Sequence, residues 1–374
     1  MGTRVVVAMS GGVDSAVTAA LLRDEGYDVI GVTLKVWGQV AEAPTVYTRH
    51  SCCAPEPIED ARLMAAHLGI PHYLINVDRE FEAHVITPFC QEYVAGRTPL
   101  PCAACNTEVK FGSLLRRALA WGADFVATGH YARIGVDPAT GRVVLRRGVD
   151  PEKDQSYFLY GLTQAQLRRV RFPLGMMRKV EVRALAARRG LRAAHSPDSQ
   201  ELCFLPTGDY RGLLRDRYPG TVRPGIIRDR SGQALGTHEG VPLYTVGQRR
   251  GLGIGGRGPY YVVALDADRN EVLVGREEDL LADTVVAERV NFIALEELTG
   301  ERPVLATVRY RHPAREAAMR PMGEGRVLVQ FSRPLRAITP GQAVVFYDRE
   351  DPDLVVGGGT IREVRRRTPP DSLA

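Results

Sequence analysis

No apolar run in the 374 residues approaches the ~18 that suggest a membrane span, the longest being stretches such as residues 5–9. No signal-peptide pattern opens the sequence, and the two lacks together predict a cytoplasmic protein. Cysteine is sparse. Six residues, Cys52, Cys53, Cys90, Cys102, Cys105 and Cys203, do not make a disulfide scaffold in a chain of this length and are expected as reduced thiols. Lysine is nearly missing, with only Lys35, Lys110, Lys153 and Lys179 among 49 basic residues. Arginine has taken the ordinary surface positions, so each surviving lysine is informative: a planar guanidinium does not copy its compact, strongly hydrated charge. There is no internal repeat. What remains is the composition of a soluble globular protein, 44% hydrophobic and 25% charged with a mean hydropathy of −0.15. At roughly 150 residues per domain, the length predicts two or three domains.

Short apolar runs alternate with amphipathic stretches at the start of the chain. Strands are expected at 4–9, 27–36, 71–77 and 124–128, and helices at 16–25, 57–68, 80–95 and 107–121. That rhythm predicts an α/β domain with a doubly wound parallel sheet, in which ligands bind beyond the carboxyl ends of the strands. A strand at 142–146 and helices at 164–170 and 179–189 complete this domain, drawn at 1–207. After Phe204, Gly and Pro punctuate short alternating runs, which predicts a small β-rich central domain at 208–280. Runs at 304–310, 326–331, 343–347 and 360–364 predict a C-terminal antiparallel β-barrel at 281–364, with a frayed tail at 365–374.

The net charge of +5 permits an anionic partner without requiring one. Between positions 302 and 336, eight arginines meet only Glu316 and Glu324, a local excess of six. Interleaved with aromatics, that stretch is a candidate polyanion surface.

Ser10-Gly11-Gly12-Val13-Asp14-Ser15 directly follows the first expected strand and opens the first helix. Two glycines let successive backbone N–H groups curl around one anion, and the helix N-terminus adds its partial positive charge. Neither GxxxxGKS/T nor GxGxxG is matched there. In its strand-loop-helix setting the hexapeptide resembles the PP-loop of the ATP pyrophosphatases. That resemblance implies cleavage of ATP between its α and β phosphates, with Ala8, Met9, Ser10, Gly11, Gly12, Val13, Asp14 and Ser15 around the phosphates. It also implies Mg2+ to neutralise the departing charge, with Asp14 acting through that ion or through loop hydrogen bonds. The glycine-rich run at 251–256 imitates a nucleotide motif but sits in β-rich surroundings, and is read as a loop.

Cys102 and Cys105 stand in the segment from Gly96 to Phe111, one helical turn or a tight loop apart, close enough to share a metal or exchange sulfur. A zinc half-site, which needs two more ligands, and a thioredoxin-like redox pair are other readings of that spacing. Cys203 follows Asp198-Ser-Gln-Glu-Leu and precedes Phe204. Cys90 falls in an expected helix and is read as a buried inert thiol. Adjacent Cys52 and Cys53 cannot easily converge on one metal and are read as packing residues.

Together with Thr128-Gly129-His130-Tyr131, Lys153-Asp154-Gln155-Ser156-Tyr157, Thr245-Val-Gly-Gln248, Val308-Arg309-Tyr310-Arg311 and Thr339-Pro-Gly-Gln342, these segments resemble the bacterial tRNA-specific 2-thiouridylases over residues 4–364. The resemblance implies that ATP adenylates the C2 oxygen of the wobble uridine in tRNA and that a cysteine persulfide supplies the replacing sulfur. It implies Cys203 as the persulfide carrier and Cys105 as the nucleophile that releases sulfide or closes a disulfide with Cys203, roles that suit thiolates. Leu34 and Gly129 would lie by the adenosine, and Leu100, Pro101 and Cys102 beside the target base. His130, Lys153, Asp154, Gln155, Arg309, Tyr310 and Gln342 would meet tRNA. A sulfur-relay donor protein is implied as a partner, and the chain is expected to be a monomer.

Cys102 departs from the aspartate that many members carry there. Cys102, Cys105 and Cys203 offer an alternative, a 4Fe–4S cluster held at three irons. Two other functions compete: a different PP-loop enzyme, either an RNA thiolase acting elsewhere or a ligase, and a non-catalytic RNA-binding protein that retains nucleotide.

Overall fold

Val5, Val6 and Val7 are fully buried and carry strand β1 (Arg4–Ala8) through the middle of a five-stranded parallel sheet. A β-branched run of this kind suits a strand covered on both faces. Strands β2 (Asp28–Lys35) and β3 (His72–Asn76) extend the sheet to one side, and β4 (Phe125–Ala127) and then Val170–Arg171 to the other. Ala8 of β1 stands opposite Val32, and Val7 opposite Ala127. Helices α1 (Val13–Asp24), α2 (Pro55–Leu68) and Lys179–Arg188 pack Val13, Ala16, Val17, Met64, Val182 and Ala186 into a core with Val5 and Val7. The chain runs outward from β1 to β3 and then returns to place β4 on the far side of β1. The strand order therefore reverses between β1 and β4, where open α/β sheets leave a crevice for ligands.

This computed structural model describes residues 2–36, 55–195, 202–205, 208–255 and 258–365. Cys52, Cys53, Asp198 to Glu201 and the tail after Arg365 lie outside the described residues; Arg365 itself ends a strand. The chain divides into two units: Met1–Ile86, Pro101–Asp209 and Asp353–Val355 form one, and Thr87–Leu100, Tyr210–Pro352 and Val356–Ala374 the other. The doubly wound sheet lies in the first, as expected.

Several expected helices differ: that at 80–95 is interrupted by a π-helical turn Glu82–Ile86, and that at 164–170 is the short Gln164–Leu167 followed by the strand Val170–Arg171. The α-helix anticipated at 107–121 is a short helix Pro101–Ala104, a π-helical run Cys105–Leu114 and only then an α-helix Leu115–Ala120.

The second unit contains a four-stranded sheet ordered Tyr261–Asp266, Glu271–Gly275, Gly225–Arg228, Ala234–His238, around Ile227, Val262, Val272 and Val274. A helix at Tyr210–Arg217 was not anticipated in this β-rich stretch. The glycine-rich run, described for 251–255, has no regular structure, and the next element is the strand Tyr261–Asp266. The expected barrel is present. Six antiparallel strands, beginning with Leu281–Phe292 and ending with Leu354–Arg365, close when the first pairs with the last, around Val285, Val304, Met319, Val344, Phe346 and Ile361. Closure leaves the barrel no unpaired edge. Among the described residues no helix is long and apolar enough to cross a membrane.

Candidate active site

The loop after β1 has one position, Gly11, whose contacts allow only glycine. Gly11 has φ +79°, and a Cβ there would stand 2.4 Å from the Pro57 carbonyl oxygen. Gly12 begins α1 and brings no capping side chain, so the first-turn N–H groups, which have no intrahelical partner, remain open to an anion. Ser15 donates its hydroxyl to the Gly12 carbonyl at 2.9 Å and accepts from the Ser10 N–H at 3.2 Å, while Thr33 donates to the Met9 carbonyl at 2.8 Å. Gly129, two residues beyond β4, crosses α1 so closely that a Cβ would lie 2.8 Å from that of Asp14. Ala8, Leu34 and Gly129 thus sit at the carboxyl ends of three adjacent strands, β1, β2 and β4, about the crevice where strand order reverses.

Asp14 would place a negative charge at the mouth of an anion site, but it is neutralised in place. The Lys179 ammonium donates to both of its carboxylate oxygens, at 2.8 and 2.7 Å, and the Tyr131 hydroxyl donates at 2.8 Å. Lys179 is buried at 8% exposure, and Asp150 accepts its backbone N–H at the start of the helix Lys179–Arg188. The loop therefore keeps its positive field. Lys179 and Tyr131 were not among the expected site residues, although the scarcity of lysine marks Lys179. In this structure Asp14 is held by these two partners through hydrogen bonds, one of the two modes expected for it.

Cys102 is exposed on the helix Pro101–Ala104, where Pro101 is buried and Leu100 before it is half-buried. Cys105 is half-buried and opens the π-helix, and Lys110 donates to Asn106 Oδ1 at 3.0 Å. Cys203 is half-buried in a turn whose next residue, Phe204, packs edge-on against Phe81 at 5.8 Å. All three are thiols. Among the described residues no group of three or more His, Cys, Asp or Glu side chains could hold a metal ion. Cys102, Cys105 and Cys203 are all described, so the three-cysteine ligand set for an iron–sulfur cluster is not assembled, and no zinc site is completed among the described residues. Cys90, as expected, is buried.

Several residues expected against RNA are engaged inside the protein. His130 is buried, shares a 2.7 Å hydrogen bond with Thr128 and meets Phe172 edge-on at 5.9 Å. Burial first, and the Lys110 charge second, hold its pKa well below the ordinary histidine value, so the ring is neutral. Asp154 accepts from the N–H groups of Gly148 and Ser156 and from the Ser156 hydroxyl, yet burial still raises its pKa above the ordinary value. Gln155 accepts the Tyr131 N–H at 3.1 Å, and Lys153 beside it is half-buried in the same turn. In the second unit Gln342 donates to the carbonyls of Thr98 and Pro99 at 3.1 and 3.0 Å, which fixes the strap leading to Leu100.

Arg309 is half-buried and donates to the Ala337 carbonyl at 3.0 Å, with half-buried Tyr310 beside it under the Arg311 guanidinium at 5.3 Å. The local charge excess is smaller in space than in sequence. Arg302, Arg320, Arg326 and Arg336 are paired with Asp348, Glu301, Glu324 and Glu277, three of which lie outside the 302–336 window. The cationic surface thus narrows to Arg309, Arg311, Arg315 and Arg333.

Three family models match the chain in order. They are described as a tRNA methyl transferase HUP domain at residues 3–207, a tRNA methyl transferase PRC-barrel domain at 215–276 and an aminomethyltransferase beta-barrel domain at 282–361. The chain is similar to the tRNA-specific 2-thiouridylase MnmA of Heliobacterium modesticaldum, with 51% identity over 96% of this chain and 93% of that protein. It is 50% identical to the MnmA of Moorella thermoacetica over 96% of this chain and 99% of the other. The MnmA of Roseiflexus castenholzii matches at 50% identity with the same coverage, 96% and 99%. A match of this depth along nearly the whole of each relative, with the glycine crevice and the cysteine segments in one unit, means that the chain belongs to the tRNA-specific 2-thiouridylase family.

Proposed function

We propose that this chain carries out ATP-dependent 2-thiolation of the wobble uridine of tRNA. The observation that carries this reading is the crevice of Gly11, Gly129 and the neutralised Asp14 at the β1/β4 reversal, in a chain of this family. It fits a polyphosphate: a glycine turn opening a helix with no side-chain cap, and an acid paired with Lys179. The thiols at 105 and 203 favour sulfur transfer over the methyl transfer in the domain descriptions.

In the proposed reaction the uridine O2 attacks the α-phosphorus of ATP and pyrophosphate leaves. This step is needed because a carbonyl oxygen leaves poorly until it is part of AMP. The outer sulfur of a Cys203 persulfide, delivered by a relay protein, then attacks C2, and AMP departs with the old oxygen. The Cys105 thiolate attacks the Cys203 sulfur, which leaves 2-thiouridine on the tRNA and a Cys105–Cys203 disulfide to be reduced by an external dithiol. Leu100, Pro101 and Cys102 flank the target base, while Lys153, Arg309 and Tyr310 meet the RNA. His130, Asp154, Gln155 and Gln342 act by bracing the segments that do.

The test is mass spectrometry of the wobble nucleoside after incubation of tRNA with the chain, ATP and a low-molecular-weight persulfide. The expected result is replacement of one oxygen by sulfur, with one AMP per modified tRNA. An unmodified uridine with a persulfide-charged protein would overturn the proposal, and AMP formation without tRNA dependence would favour another PP-loop enzyme.

A further inference from the structure

Gln166 uses one side-chain amide for two purposes. Its Oε1 accepts the Thr163 N–H at 2.9 Å and the Thr163 hydroxyl at 3.1 Å, which closes the cap of the short helix Gln164–Leu167. Its Nε2 donates to the carbonyls of Thr107 at 3.0 Å and Phe111 at 2.9 Å. Both carbonyls belong to the π-helix that begins at Cys105. π-Helical backbone is rare and mostly confined to single turns at functional sites, so a run from 105 to 114 needs support from outside itself.

Ser113 near the end of the run donates to Glu80 at 3.2 Å and the Phe111 ring meets Phe172 edge-on at 5.7 Å, while the backbone nearer Cys105 is tied by the stretch 158–166. The Phe158 carbonyl accepts from Asn106 Nδ2 at 3.1 Å, and Asn106 in turn accepts from Lys110. Gly161 approaches so closely that a Cβ there would stand 2.7 Å from the Thr107 hydroxyl. Gln166 supplies the third tie of that stretch and grips two successive turns. A return to α-helical winding would move the Thr107 and Phe111 carbonyls relative to each other and turn every residue before them, Cys105 first.

We infer that Gln166 is a positioning residue for the Cys105 thiol: its amide locks the π-helical winding that aims Cys105 and keeps Lys110 on Asn106. The inference rests on the role of Cys105 proposed above. Gln166→Glu keeps the acceptor that caps Thr163 but removes both donors to the π-helix, and so separates capping from clamping. Gln166→Leu removes both, and Gly161→Ala displaces Thr107 independently.

The readout is the rate of iodoacetamide alkylation at Cys105 against pH in the full chain, resolved by peptide mass spectrometry, beside tRNA-dependent AMP formation and tRNA thiolation. We expect the Gln166→Glu and Gly161→Ala proteins, in a single turnover, to form AMP normally, to show a displaced alkylation profile and to release 2-thiouridine about 100-fold more slowly. Folded Gln166→Glu protein with the wild-type alkylation profile would overturn the inference, as would equal losses of AMP formation and thiolation. Normal thiolation by Cys105→Ser would instead defeat the sulfur role of Cys105, a failure the alkylation profile tells apart from failure of the clamp.

Discussion

The phosphate loop and the cysteine segment both start helices in the same unit, yet they are held by different means. The turn of residues 10–15 follows a local pattern, to which Pro57, Gly129, Tyr131 and Lys179 add contacts from elsewhere. A buried strand ends, two glycines turn, and α1 begins, with Ser15 reaching back only three residues to the Gly12 carbonyl. The segment 101–114 is held from elsewhere in the chain, by Phe158, Gly161 and Gln166 about fifty residues further along, by Glu80 before it and by Phe172. A backbone fixed by its own sequence is rigid wherever it is found, whereas one fixed from outside is as rigid as its clamp. Nucleotide activation needs a preorganised cradle, while a thiol that must meet first a sulfur donor and then a base gains from a support that can release it.

The largest effect that would break this contrast is expected at Gly11. In Gly11→Ala the new Cβ meets the Pro57 carbonyl at 2.4 Å from a backbone with φ +79°. AMP formation should fall by about 100-fold or more, with about 1–3 kcal/mol of stability lost. Cys105 alkylation should keep its wild-type profile; a coupled change there would merge the two regions into one.

Next comes Lys179→Met, which strips Asp14 of its ion pair. Because Asp14 is 31% exposed, the cost should lie below that of a fully buried pair, at about 2 kcal/mol in urea unfolding. Asp14→Asn in the same chain should recover part of it, and strict additivity would deny the coupling.

His130 bears on both regions, since it follows Gly129 and its ring faces Phe111 of the π-helix at 6.1 Å. Burial keeps it neutral in the folded chain, whereas the unfolded chain takes up the proton near pH 6.5. Stability should therefore decline as pH falls below that value, by up to about 1.4 kcal/mol per pH unit. His130→Gln should flatten the decline, and an unchanged slope would exclude this residue as its source.

The smallest effect is expected outside both regions. Arg309→Ala should lower the slope of log affinity for tRNA against log salt by about one phosphate contact. An unaltered slope would remove Arg309 from the RNA surface.

The sheet, the barrel and the glycine turn are legible because each rests on short-range patterning. The strand Ala343–Tyr347 falls where the apolar run stands, and β1 ends within one residue of expectation. The π-helix is not legible, because apolar spacing cannot separate i→i+5 from i→i+4 bonding and its ties come from elsewhere. Thr163 and Gln166 have the spacing of a capping box, but nothing local discloses the second use of the amide. The Lys179–Asp14 pair spans 165 residues and has no local signature beyond the rarity of lysine. The arginine-rich window overstated its charge because Asp348, Glu301 and Glu277 lie outside it. The helix Tyr210–Arg217 escaped because Gly212 and the flanking Gly and Pro residues read as turn punctuation.

Division of labour between cradle and thiols is tested most directly in Cys203→Ser protein, by counting pyrophosphate and 2-thiouridine in the same reaction with tRNA. Pyrophosphate should still form in a tRNA-dependent manner while no sulfur enters the wobble base. Wild-type amounts of 2-thiouridine from that protein would contradict the account.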